Sequence, residues 1–163
     1  MKLTILLVIL AIFILSPLSL FLYKKGSFGH TDGARSSCAG YVYEHGTLVH
    51  NGTNFLLDIA DTEGKRTCGL SYRKEIKENE GMIFIFEYDD RFGIWMKDMN
   101  FPIDILWLDK EFQVLDFVSH ADPDSYPRVF LPREEAHYVV ELSSGAVVHN
   151  KVSLSTRFSF FRE

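Results

Sequence analysis

Trp95-Met96-Lys97 and Pro102-Ile103-Asp104 set one cation and one anion on either side of a proline. Two short strands, Phe92 to Met99 and Ile103 to Leu108, joined tightly at Asn100 to Pro102, would place Lys97 opposite Asp104 as a cross-strand ion pair. Period-two alternation puts Trp95 on the face of Lys97, and Leu106 and Leu108 on the face of Asp104. Charges on a largely apolar face are kept when paired, because desolvating one alone is costly. The pair is therefore expected either to lock register or to form a polar focus in a concave apolar surface, as small-ligand sites do.

Other chemistry finds less support. Six histidines are scattered; His120 with Asp122 and Asp124, and Glu134 with His137, come nearest to a metal spacing. A site needs three or more convergent ligands, so no metal and no cofactor is expected. Asp122-Pro123-Asp124 reads more simply as a turn. No Gly-rich phosphate loop, nucleophile elbow or Ser-His-Asp order is present. From Cys38 onward, 13 Lys/Arg stand against 21 Asp/Glu, a formal charge of −8, which repels phosphates and argues against nucleic acid as a partner. Two cysteines exclude a disulfide-dense miniprotein. In an oxidising compartment Cys38 and Cys68 could bridge a loop of about thirty residues, contributing on the order of 3 kcal/mol; two free thiols are the equal alternative. Asn51-Gly52-Thr53 matches a glycosylation sequon, but a turn role suffices for it.

The elements that must position these residues follow from composition and pattern. With 163 residues, 47% hydrophobic and 14% aromatic, the chain has room for one domain and enough apolar surface to fold. Leu3 to Tyr23 carry no charge. As a helix they would span roughly 30 Å, a bilayer core. A cleaved signal wants an apolar run of only about 7 to 15 residues with a small-residue cleavage site, so residues 1–25 are read as an uncleaved signal anchor, with Pro17 as a kink or the mark of a weak cleavage region. Tyr23, Lys24 and Lys25 close it as an interfacial anchor, while Lys2 on the other side leaves orientation open. Residues 26–39 are a Gly/Ser-rich tether, and residues 40–163 a single β domain.

Within that domain, Asn51-Gly52 between apolar runs signals a hairpin. Asp61 or Thr62 caps a short helix to about Leu70, and a weak second helix is expected over Ser71 to Glu80. Met82 to Phe86, continuously apolar, reads as a strand buried on both faces. Phe92–Met99, Ile103–Leu108, Phe112–Val118, Tyr138–Leu142 and Val152–Phe160 follow as strands, with Ser143 to His149 as a turn or a single helical turn. The expected fold is mainly β: a compact antiparallel β-barrel-like domain with one or two short helices, preceded by an N-terminal transmembrane helix.

Arg66, Gly69-Leu70, Arg73, Gly81-Met82, Phe84, Phe86, Trp95-Met96-Lys97, Pro102, Asp104, Glu141-Leu142 and Gly145 fall in the order and spacing of the domain of unknown function 192 family. The chain resembles that family over about residues 54 to 160. The resemblance implies a compact, mainly antiparallel barrel-like fold, often behind a secretion or anchoring segment, with no established activity. Two departures stand out: Asp98-Met99 where the family usually has Asn-Thr, which replaces an amide donor by a carboxylate, and Ile94 where Phe is common. Arg66, Arg73, Lys97, Asp104 and Glu141 carry over as polar positions. With Trp95 they could bind an anionic or polyhydroxylated ligand, or pair with one another as an internal network.

The function expected is a membrane-anchored extracytoplasmic module, periplasmic or extracellular, held by residues 3–23. It would bind a small molecule, a glycan or an envelope protein. The alternatives are a carbohydrate- or cell-wall-acting enzyme with Asp104 or Glu141 as acid/base, and a structural part of a surface or secretion assembly.

Overall fold

Asn51 and Gly52 adopt φ of 48° and 80°, the left-handed pair a type I′ turn demands. They join β1 (His45–His50) to β2 (Thr53–Ala60) as an antiparallel hairpin. The computed structural model describes residues 38–163; the expected anchor, and the expected tether as far as residue 37, lie outside the described residues. Among the described residues no helix is long and apolar enough to cross a membrane.

The Thr62 hydroxyl accepts the Lys65 N–H at 3.3 Å and caps α1 (Glu63–Cys68). The chain continues as β3 (Glu80–Asp90), β4 (Ile94–Trp95), β5 (Ile103–Leu108), β6 (Val114–Ala121), a 3₁₀ turn at Pro123–Ser125, β7 (Val129–Phe130), β8 (Ala136–Ser143), α2 (Ala146–His149) and β9 (Ser159–Arg162). The expected helix over Ser71 to Glu80 is a series of turns, because Tyr72 and Ile76 alone offer no apolar stripe to bury. The last strand is confined to Ser159–Arg162.

Seven strands form one sheet in the order β6-β5-β8-β3-β2-β1-β9, while β4 and β7 make a separate ribbon. The barrel expectation is corrected on two counts. An isolated bridge between Gln113 and Arg157 brings the segment before β9 to the start of β6, but one pair is not a ladder and the sheet stays open. Nor is it wholly antiparallel: β2 and β3 run parallel, Leu56 opposite Glu80 through Ala60 opposite Phe84, since α1 and the turns after it carry the chain back to the same end.

The sheet is covered on both faces. Leu57, Ile83, Leu106 and Leu142 pack on one side with Val147 of α2 and Phe158. Met82, Phe84, Ile105 and Val139 pack on the other with Leu70, Ile94 and Met96. All six residues of β5 are buried, as a central strand covered on both sides requires.

Candidate functional site: an aromatic cleft over Glu141

Two carboxyl groups are buried among the described residues, Asp104 and Glu141, and they come from neighbouring strands. Asp104 stands opposite Leu142, and Ile105 opposite Glu141. Register partners share a face while successive residues alternate, so Asp104 points toward α2 and Glu141 toward α1.

Asp104 is fully satisfied. Its Oδ1 accepts the His120 N–H at 2.8 Å, and its Oδ2 accepts the Gly145 and Val147 N–H groups at 3.1 and 2.8 Å. The carboxylate thereby pins the start of α2, where Gly145 takes a φ of 96°, to β5 and the end of β6. The expected Lys97–Asp104 pair is not formed. Both edges of β5 are occupied by β6 and β8, and Trp95 pairs instead with Val129 of β7, so the proline hairpin does not exist. Lys97 is exposed, its Nζ lying 5.8 Å from the Trp95 ring centroid.

Glu141 is the opposite case. It is 5% exposed and its Oε2 has no hydrogen-bond partner. Burial pushes its carboxyl up to about 8, against the pull of Arg73. It lines a cleft of about 310 Å³ whose walls are Phe84, Phe86, Phe92, Ile94, Trp95 and Met99, with Glu63 and Arg66 from α1. At neutral pH this carboxyl keeps its proton and offers one donor and one acceptor in apolar surroundings.

The expected site residues therefore divide. Arg66, Trp95 and Glu141 meet at the cleft. Arg66 donates to the Ile85 carbonyl at 2.8 Å and lies 5.2 Å over Phe86, a ring that also stacks on Phe92 at 3.4 Å. Arg73 stands beside the cleft, donating to Asp58 at 2.7 Å and covering Tyr43. Lys97 and Asp104 belong to other surroundings. The cleft edge is held by loop-to-loop bonds: Ser71 donates to the Lys97 carbonyl, Asn100 to the Arg73 carbonyl, and the Tyr72 hydroxyl to Asp98 at 2.8 Å. At Asp98, φ is 57°, and its carboxylate has the Tyr72 hydroxyl as its donor. A Cys38–Cys68 disulfide ties the chain ahead of β1 to α1, with Cys68 lining the same cleft.

Sequence reasoning missed the aromatic walls. Phe84 and Phe86 were legible as strand residues, but nothing local shows that Phe92 and α1 leave space above them. Among the described residues no three ligating side chains converge on a metal position. His120 bonds the Ser144 hydroxyl and His137 bonds Asp89, so neither near-spacing forms a site.

Known proteins share this fold. The crystal structure of a candidate transcription regulator from Sinorhizobium meliloti 1021 superposes with a TM-score of 0.67 at 27% identity, over 74% of this chain and 95% of that one. A protein of unknown function from Novosphingobium aromaticivorans DSM 12444 gives 0.63 at 20% identity, over 71% and 83%. A UPF0127 protein of Thermococcus gammatolerans is 32% identical over 93 residues, 56% of this chain and 57% of that protein. The family model DUF192, described as an uncharacterized ACR, matches residues 46–160, most of the sequence, and the chain therefore belongs to the DUF192 family.

Proposed function

We propose that this chain is a membrane-tethered, extracytoplasmic binding module that takes a small, mostly apolar molecule into the cleft between α1 and β3–β4. The observation that carries this reading is Glu141, a buried carboxyl without a partner for Oε2 at an aromatic cleft. Leaving such a group unsatisfied costs about 1–3 kcal/mol, and a ligand that supplies the missing bond offsets that cost. The apolar run of residues 3–23 supports the tether, and the Cys38–Cys68 bridge suits an oxidising compartment. Regulation of transcription, the role named for the Sinorhizobium protein, fits less well, because the formal charge of −8 from Cys38 onward opposes contact with DNA phosphates.

A second reading has one observation in its favour. A carboxyl near pKa 8 in a cleft suits a general acid. Carboxylate-pair chemistry, however, needs a second acid held across the substrate; Asp104 faces the other side of the sheet, and the other acid lining the cleft, Glu63 on α1, is exposed to solvent. Binding is the simpler account.

The test is methionine-methyl NMR of the full chain in lipid nanodiscs, titrated with a collection of one- and two-ring fragments. Hits are expected to shift the Met99 methyl, and Thr67→Trp, at an exposed α1 position lining the cleft, is expected to abolish those shifts. A Met99 signal that no fragment moves would overturn the cleft as a binding site. Deleting residues 3–23 is expected to release the protein from membranes, and a deletion variant that stays membrane-bound would overturn the tether.

A further inference from the structure

We infer that the cleft selects a planar carboxamide or lactam, an uncharged group with a hydrogen-bond donor and acceptor side by side, and holds it on the Glu141 carboxyl. This rests on the cleft being a binding site and adds the chemistry of its ligand.

The argument begins with the group that lacks a partner. Glu141 Oε2 is buried and unbonded, so the ligand must bring a polar atom to an otherwise apolar enclosure. Three chemistries could do this: an ammonium, a carboxylate or a neutral amide. An ammonium would seek the aromatic faces, but Arg66 already covers Phe86 and Lys97 already lies over Trp95. A further cation would meet Arg66, which the Ile85 carbonyl holds in place.

A carboxylate fares no better, because the charges lining the cleft around Glu141 cancel, while Lys97 at the rim is exposed and screened by water. From α1 come Arg66 and Glu63. From the turns after α1 comes Arg73, which is spent on Asp58 of β2 at 2.7 Å. The flanking residues of β3 and β5 are Met82 and Ile105, both apolar, and β4 contributes Ile94. No net positive field remains to offset the desolvation of a ligand anion.

A neutral carboxyl and a cis-amide or primary carboxamide are complementary. The acid O–H donates to the amide carbonyl while the amide N–H donates to the acid carbonyl, a two-bond ring within one plane. The raised proton affinity of Glu141 keeps the acid in the form this pairing needs. The aromatic walls then take the flat body, and about 310 Å³ lies at the small end of ligand pockets.

Benzamide, benzoate and benzylammonium share one ring and differ in the head group, so they serve as probes. Each is titrated against the full chain in lipid nanodiscs, read by the Met99 methyl. Benzamide is expected to bind at least about tenfold more tightly than either ion near pH 6.5, and to weaken as pH rises past about 8. Glu141→Gln, which keeps a donor and an acceptor, is expected to flatten that pH profile; Glu141→Leu is expected to remove the preference for benzamide. Benzylammonium or benzoate binding as tightly as benzamide would overturn the amide selection while leaving the cleft as a binding site. Failure of all three probes to move Met99 would remove the binding reading itself. A Glu141→Leu variant that keeps the wild-type ranking would also overturn the proposal, since the selection would then arise elsewhere.

Discussion

Asp104 and Glu141 sit on adjacent strands one register step apart, are both nearly inaccessible to water, and have opposite fates. On the α2 side, three backbone N–H groups converge on Asp104, so the charge is solvated by the protein and helps to hold it together. On the α1 side, no group reaches Glu141 Oε2, and the carboxyl instead keeps its proton. Burial alone does not decide what a carboxyl does; the supply of donors does. The first arrangement is architecture, and the second is an unmet hydrogen-bonding demand that faces a cleft.

The contrast is broken most violently at Asp104. Asp104→Ala strands three N–H donors, that of Val147 buried and those of His120 and Gly145 half-buried, and is expected to lower unfolding free energy by about 3–5 kcal/mol in denaturant titrations. A loss below about 1 kcal/mol would mean that water replaces the carboxylate. The opposite sign is expected at Glu141. Glu141→Leu removes an unsatisfied polar group and is expected to stabilise by about 1–3 kcal/mol near pH 4.5, and by more with each step toward pH 8. Destabilisation by this change would reveal a partner for Glu141 in solution.

The pH profile sharpens the comparison further. The folded state raises Glu141 from its ordinary 4.5 to about 8, so it holds a proton that the unfolded chain has lost. Its contribution is complete below pH 4.5 and drains away at about 1.4 kcal/mol per pH unit until about pH 8. Asp61, Glu80, Asp89 and Asp116 are lowered by their cationic partners, so their contributions are lost only below the ordinary carboxylate range. Denaturation midpoints measured from pH 4.5 to 8 are expected to fall in the wild type and to stay nearly level in Glu141→Gln. The smallest effect concerns Lys97: a Lys97→Ala, Asp104→Asn double-mutant cycle is expected to give a coupling below about 0.5 kcal/mol, because the two side chains belong to different surroundings. A coupling of several kcal/mol would restore the ion pair.

Some of this architecture was legible residue by residue. Asn51-Gly52 announced its turn because few other pairs accept two positive φ values, and Asp61-Thr62 announced a cap because either side chain can serve a local N–H, the structure choosing Thr62. Met82 to Phe86 declared themselves a strand by unbroken apolarity, buried through Phe84 and half-buried at Ile85 and Phe86. The proline bend misled for a related reason. Trp95 and Asp104 are close in sequence, and a hairpin is the local solution, yet Trp95 pairs with Val129 and Asp104 lies opposite Leu142. These partners arrive from more than thirty residues away, and no short-range pattern encodes them. Of the site, Arg66, Trp95 and Glu141 were named in advance, whereas the facing aromatics and the isolation of Glu141 were not.

What the amino-acid order determined by itself are the features set by local sterics and periodicity: the β-rich character, the first hairpin, the cap of α1, the apolar run over residues 3–23 and the motif string of the family. Tertiary structure decided that the sheet stays open, that β2 and β3 run parallel, and which of two buried carboxyls finds donors. Those outcomes depend on long-range strand pairing, where each contact is chosen in competition with distant alternatives and the backbone N–H groups that solvate Asp104 are carried by residues of almost any type.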